Sequence, residues 1–303
     1  MKAADNTISL VLGSGGARGL AHIGVIQWLK ENGYQVRSIS GASMGALIGG
    51  IYAAGKLDAY AKWVRALEKA DVVGLLDFSF GRAGIFKGER VIRVLKELIG
   101  DFKIEDLPIS FTAVATDVDS AREVWLSKGS LFHAIRASIA IPMIFRPVEH
   151  EGRMLVDGAL VNPIPIAPTL KDLTGMTIAV NVSARAEGPP ALASKKLDKW
   201  EGKKANQNSY HRRIVKFIEE IQQKLNPDET RDLGLFDVVS QSYDAMQNTI
   251  ARFQLAAYSP NKVIDIPRNA CAFYEFDRAD ELISMGYDRA RKVMGDPKPG
   301  KEE

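Results

Sequence analysis

Gly41-Ala42-Ser43-Met44-Gly45 has the form G-x-S-x-G. In that pattern a serine sits on a sharp turn between a strand and a helix, and the flanking glycines let the two elements come close. A helix N-terminus behind Ser43 stabilises negative charge beside it. The pattern also arises by chance where an Ala- and Gly-rich helix begins, so Ser43 has to be judged with its partners. A serine hydroxyl needs a base to act as a nucleophile. The chain has 4 histidines. His22 lies within a helical apolar pattern and reads as structural. His133 and His150 read as surface or half-buried residues. Only His211 follows the Asp157 region, and it borders a charged stretch beside Arg212 and Arg213. The Ser, Asp or Glu, His order of the α/β-hydrolases is therefore poorly served. Ser43 also comes too early for that fold, after only two predicted strands.

A carboxylate offers the other base. Leu155-Val156-Asp157-Gly158-Ala159 places Asp157 at the end of a predicted strand, before a glycine turn. Catalytic groups of open α/β sheets gather at the carboxyl ends of strands. Taken alone, the segment reads as a turn in which Asp157 caps Gly158.

A third segment, Gly13-Ser14-Gly15-Gly16-Ala17-Arg18-Gly19, stands between a predicted strand and helix. Exposed backbone N–H groups and the helix N-terminus suit it to an anion, either a phosphate or an acyl-transfer oxyanion. The phosphate loop of nucleotide enzymes needs Gly-Lys-Ser/Thr at its end, and the loop here runs Ala17-Arg18-Gly19. The dinucleotide pattern G-x-G-x-x-G starts at Gly13 and Gly15 but meets Arg18 at its third glycine. Neither nucleotide motif is satisfied. A tight turn without a ligand is the other reading.

The elements that must position these residues alternate. Strands are predicted at 8–12, around Ile39, and at 109–115, 123–126, 154–156, 176–182 and 262–266. Helices are predicted at 18–31, 44–54, 57–69, 89–99, 131–138, 212–225, 233–257 and 276–294. Strands separated by helical crossovers imply an α/β fold, a three-layer α/β/α arrangement with a largely parallel central sheet. Residues 184–208, with Pro189-Pro190 and several lysines, read as a linker or surface excursion. The tail beyond Gly295 reads as frayed. The expected organisation is a catalytic core over 1–185. Residues 186–303 supply a linker, a helical cap region that could also be a dimer contact, and a closing strand and helix packed on the same core.

Taken in order, the glycine loop with Arg18, G-x-S-x-G and Asp-Gly-Ala resemble the patatin-like phospholipase family. So does Ala137-Ser138-x-x-x-Pro142-x-x-Phe145-x-Pro147. The likeness spans about residues 7–185, and Ser14 departs from it where many members have glycine. The resemblance implies a catalytic dyad without histidine, with Ser43 as nucleophile and Asp157 as base. It places the oxyanion among backbone N–H groups of Gly15, Gly16, Ala17, Arg18 and Met44, with Gly13, Gly41, Gly45 and Gly158 supporting the turns. The implied activity is acyl ester hydrolysis of lipids (phospholipase A, lysophospholipase or esterase). A lipid-sensing module with the same fold and an acyltransferase are the alternatives.

The chain has 303 residues, 46% apolar and 25% charged, with a net charge of +3. That composition suits a globular protein and falls far short of a nucleic-acid footprint. The single Cys271 excludes an intramolecular disulfide. No apolar run spans a membrane, and the N-terminus lacks an apolar signal core. The expectation is a cytoplasmic protein without cofactor or metal, with peripheral contact to the inner face of a membrane and self-association both left open. The apolar stretch 72–86 (VVGLLDFSFGRAGIF) reads either as a mobile flap or as a core-covering loop.

Overall fold

The computed structural model describes residues 6–75, 77, 86–187 and 235–295. Strands are β1 (Thr7–Leu12), β2 (Gln35–Ala42), β3 (Ser110–Asp117), β4 (Arg122–Leu126), β5 (Val148–His150), β6 (Arg153–Asp157), β7 (Met176–Ala184) and β8 (Lys262–Pro267). Helices are α1 (Ala21–Glu31), α2 (Met44–Ala53), α3 (Leu57–Arg65), α4 (Lys69–Gly74), α5 (Glu89–Ile99), α6 (Leu131–Ser138), α7 (Leu235–Tyr258) and α8 (Ala279–Met294).

The sheet runs β5-β6-β3-β2-β1-β7-β8, with β4 also paired to β3. From β3 to β8 every pairing is parallel. β4 and β6 run antiparallel to β3, and β5 antiparallel to β6. β1 is central and buried along Ile8–Leu12. Covered on both faces, a parallel strand reads as a continuous apolar run.

On one face, Leu10, Leu12, Ile39 and Phe111 pack with α1, α2, α6 and α8 in one large core. α1 and α8 cross at Gly24 and Gly286. A side chain at Gly24 would collide with the backbone of Ile283, and one at Gly286 with the backbone of Ala21. On the other face, Val11 and Ala179 meet Ile164, Ile166 and Ala251 of α7, with Leu255 packed alongside. Helices thus flank the sheet on both faces, and β8 and α8 complete the same core.

Several boundaries differ from the sequence reading. The helix predicted from Arg18 begins as a 3-10 turn, Gly16–Leu20, and becomes α-helical only at Ala21. Within that turn the Ala17 N–H donates to Phe273 O at 2.8 Å. The last helix likewise opens with a 3-10 turn, Phe276–Arg278. The three-residue β5 is too short to show any alternation in sequence. The predicted helix 57–69 divides into α3 and α4. The helix predicted at 212–225 and most of the 184–208 linker lie outside the described residues. So does most of the 72–86 stretch, but Asp77 is described. Its carboxylate accepts the N–H groups of Gly88, Glu89 and Arg90 and so caps α5.

Candidate active site

Ser43 follows the last residue of β2 and precedes the first turn of α2. Its backbone lies at φ 54, ψ −122. A non-glycine residue rarely adopts such a conformation, which stores about 1–3 kcal/mol of strain. The turn closes so tightly that a side chain at Gly41 would strike the backbone of Gly45, and one at Gly45 the backbone of Leu12. Both glycines of the G-x-S-x-G pattern are therefore demanded by close approach.

Asp157 arrives from the opposite direction. Residue Ala42 pairs with Val114 of β3, and Asp157 pairs with Ala115. β6 is antiparallel, yet its short pairing ends level with the carboxyl end of β2. β4 holds the other edge of β3, so β2 and β6 pair with successive stretches of one edge. Two residues 114 apart in sequence thus meet end to end along that edge, with Ser43 Oγ donating to Asp157 Oδ2 at 2.6 Å. The other carboxylate oxygen accepts the Ala159 N–H at 2.8 Å. The Asp157 N–H donates to Ala140 O at 2.9 Å, and its carbonyl accepts from Thr116 Oγ1 at 2.9 Å. Backbone and side chain are fixed together.

Ser43 is 3% exposed and Asp157 1%. Burial disfavours the ionised carboxylate and pushes its pKa to about 7, against the smaller opposing pull of the Ser43 and Ala159 hydrogen bonds. A carboxylate poised there can both accept and return a proton near neutral pH.

The glycine loop contributes unequally. The N–H groups of Gly13 and Ser14 bond Val180 O and Pro163 O. Ala17 departs from expectation, because its N–H is held by Phe273 O. The Arg18 guanidinium is buried and donates to Arg268 O at 2.9 Å, which makes its side chain a clamp on the loop after β8. Burial lowers its pKa, partly opposed by Asp244 of α7. The N–H groups of Gly15, Gly16 and Met44 find no partner among the described residues. At Met44 this follows from its place in the first turn of α2. Gly16 lies at φ 56 against Phe273, where a side chain would not fit. Gly158 follows Asp157 and passes so close to Val114 that only glycine is accommodated.

His22 is fully buried, with Nε2 2.8 Å from Gly13 O. Burial lowers its pKa to about 4. The ring is neutral and braces the glycine loop, in the structural role expected of it. His133 and His150 contact each other at 3.2 Å.

Sequence reasoning passed over Ser138. Its Oγ accepts the Ser43 N–H at 2.9 Å and donates to Val114 O at 2.6 Å, tying the Ser43 turn to β3. It stood in a quoted motif, and its buried place at the end of α6 gives it this work. Among the described residues, no group of three or more His, Cys, Asp or Glu is placed to hold a metal ion.

A model of the patatin-like phospholipase family matches residues 10–170. An uncharacterized NTE family protein of Mycobacterium bovis is 36% identical over 95% of this chain and 91% of its own length. A lysophospholipase of Emericella nidulans is 32% identical over 60% of this chain, but over only 12% of its own length. Among solved structures, VipD of Legionella pneumophila aligns with a TM-score of 0.46 and 13% identity, over 96% of this chain and 66% of its own. The extent of the first relative and the family match over the glycine loop, Ser43 and Asp157 give one conclusion: the chain belongs to the patatin-like phospholipase family.

Proposed function

We propose that the protein is a serine acyl hydrolase acting on lipid acyl esters, of phospholipase A or lysophospholipase type. The observation that carries this reading is the buried 2.6 Å contact between Ser43 Oγ and Asp157 Oδ2, with the carboxyl pKa near 7. Asp157 takes the Ser43 proton as Oγ bonds the acyl carbon. The oxyanion is received by the unpartnered N–H groups of Gly15, Gly16 and Met44. Asp157 gives the proton to the departing oxygen, and the bond from acyl carbon to that oxygen breaks. Water then gives a proton to Asp157 and adds to the acyl carbon, the bond from that carbon to Ser43 Oγ breaks, and Asp157 returns the proton to Ser43. Val118, Met143 and Met154 are large apolar residues left exposed, and the Val118 N–H bonds Met154 O. They supply an apolar surface for peripheral contact with a lipid interface.

The test is hydrolysis of a short-chain p-nitrophenyl ester and of lysophospholipid by wild type, Ser43→Ala and Asp157→Asn, with EDTA present. Loss in both variants with folding retained supports the dyad. Activity that survives Asp157→Asn shows that another base serves Ser43. A folded wild type inert on both substrates, yet binding lipid saturably, replaces hydrolysis with lipid sensing.

A further inference from the structure

One side of α7 carries Tyr243, Gln247, Ala251 and Leu255, spaced by four. Residues at that spacing share a helix face. Ala251 and Leu255 anchor it on Val11, Ile164, Ile166 and Ala179. That anchoring fixes which side of α7 faces the sheet. Toward the helix N-terminus the same side becomes polar, yet it stays covered, with Gln247 6% exposed. The Tyr243 hydroxyl is buried and has no hydrogen-bond partner, although the Gln247 side chain lies alongside. Asp157 stands close enough to raise the phenol's pKa further, beyond the effect of burial. The next residue, Asp244, acts by attraction on the Arg18 cation. α7 packs against β7 and against the Gly158–Leu160 turn that directly follows Asp157. Buried hydroxyls are normally satisfied. One left open beside a general base is suited to a polar group that arrives with the substrate.

We propose that Tyr243 is a positioning residue, which holds the oxygen that exchanges a proton with Asp157. The proposal rests on the Ser43–Asp157 reading. In acylation that oxygen is the alkoxy group of the ester. Asp157 protonates it as its bond to the acyl carbon breaks, while the Tyr243 O–H donates a hydrogen bond and keeps its own proton. In deacylation a water takes the same place, gives a proton to Asp157, and adds to the acyl carbon. The Ser43–acyl bond then breaks, and Ser43 recovers the proton. Esters with poor alkoxide leaving groups, the kind found in glycerolipids, depend most on the contact.

The experiment compares wild type and Tyr243→Phe on three reagents. Ethyl butyrate has a leaving oxygen that needs a proton. The pre-steady-state burst with p-nitrophenyl butyrate and the labelling of Ser43 by a fluorophosphonate both release groups that do not. The expected result is a fall of about 10- to 100-fold in kcat/KM for ethyl butyrate. Labelling and burst rates stay within about threefold of wild type, a scatter too small to count as a lost hydrogen bond. A parallel fall on both esters, or no fall on either, overturns the proposal. If Tyr243→Phe no longer labels, the same ratio of ethyl to p-nitrophenyl rates is read from Tyr243→Leu, which also removes the donor. A lowered ratio supports the proposal, and an unchanged one overturns it. Absence of Ser43 labelling in wild type refutes the serine hydrolase reading itself, before any Tyr243 variant is compared.

Discussion

Replacing Asp157 by Asn should abolish turnover and yet make the protein more stable at alkaline pH. The carboxyl is held near 7 in the folded chain, against an ordinary 3.8. A folded-state pKa above the unfolded value means that the folded state binds the extra proton between those limits. Stability then falls as pH rises from about 4 to about 7 and levels off above. The gap corresponds to roughly 4 kcal/mol at the plateau, since each pKa unit is about 1.4 kcal/mol. Asn carries no charge to desolvate and keeps an oxygen for the Ala159 N–H. Its gain over wild type should therefore be near zero at pH 4 and approach that ceiling at pH 8. Imperfect hydrogen bonding of the new amide to Ser43 will reduce it by about 1 kcal/mol. For a domain of this size each kcal/mol moves Tm by roughly 2–4 °C. Thermal unfolding of both proteins from pH 4 to 8 is the assay, with ester hydrolysis measured on the same samples. A difference in Tm that does not change with pH would refute the reasoning, because it would mean that Asp157 is not ionised at a cost in the folded state.

Other outcomes follow from the same geometry. In wild type, kcat/KM should rise with pH through an apparent pKa of about 7, because the base must be ionised to accept the Ser43 proton; a profile flat from pH 5 to 9 would contradict this. Ser138→Ala removes the acceptor of the Ser43 N–H and the donor to Val114 O. It should cost about 1–3 kcal/mol of stability, read by urea titration, and slow ester hydrolysis without changing which residue a fluorophosphonate labels. Gly45→Ala forces a methyl group onto the Leu12 backbone. It should leave little folded protein by circular dichroism, a loss well beyond the roughly 1 kcal/mol of an ordinary core change.

How much of this was legible in the residues can be seen from where the reading held and where it slipped. The strands that line the core announced themselves, because a strand buried on both faces must be apolar throughout. β1 and β7 are of this kind. Ser43 and the glycines around it were legible because one sharp turn imposes its demands within five neighbouring residues. The pairing of Ser43 with Asp157 was not legible from either segment. Nothing local in Leu155–Ala159 distinguishes a catalytic carboxylate from a turn cap. In the structure its carboxylate accepts both from the turn, at Ala159, and from Ser43. The order of motifs suggested the pairing, and the register of β2 and β6 on successive stretches of one edge of β3 brings the two residues together.

The sequence by itself determined the alternating α/β pattern, the strained serine turn and the poor supply of histidine bases. Each follows from periodicity, from glycine's freedom, or from the inventory of side chains. Only the tertiary structure decided which loop donors stay open. The Ala17 N–H and the Arg18 guanidinium are taken by Phe273 O and Arg268 O, more than 200 residues further along the chain. It also decided that burial pushes the Asp157 pKa to about 7, that Ser138 holds the Ser43 N–H, and that the Tyr243 hydroxyl is buried. A desolvation cost and an occupied hydrogen bond depend on what surrounds a group in space, and those surroundings come from distant parts of the chain.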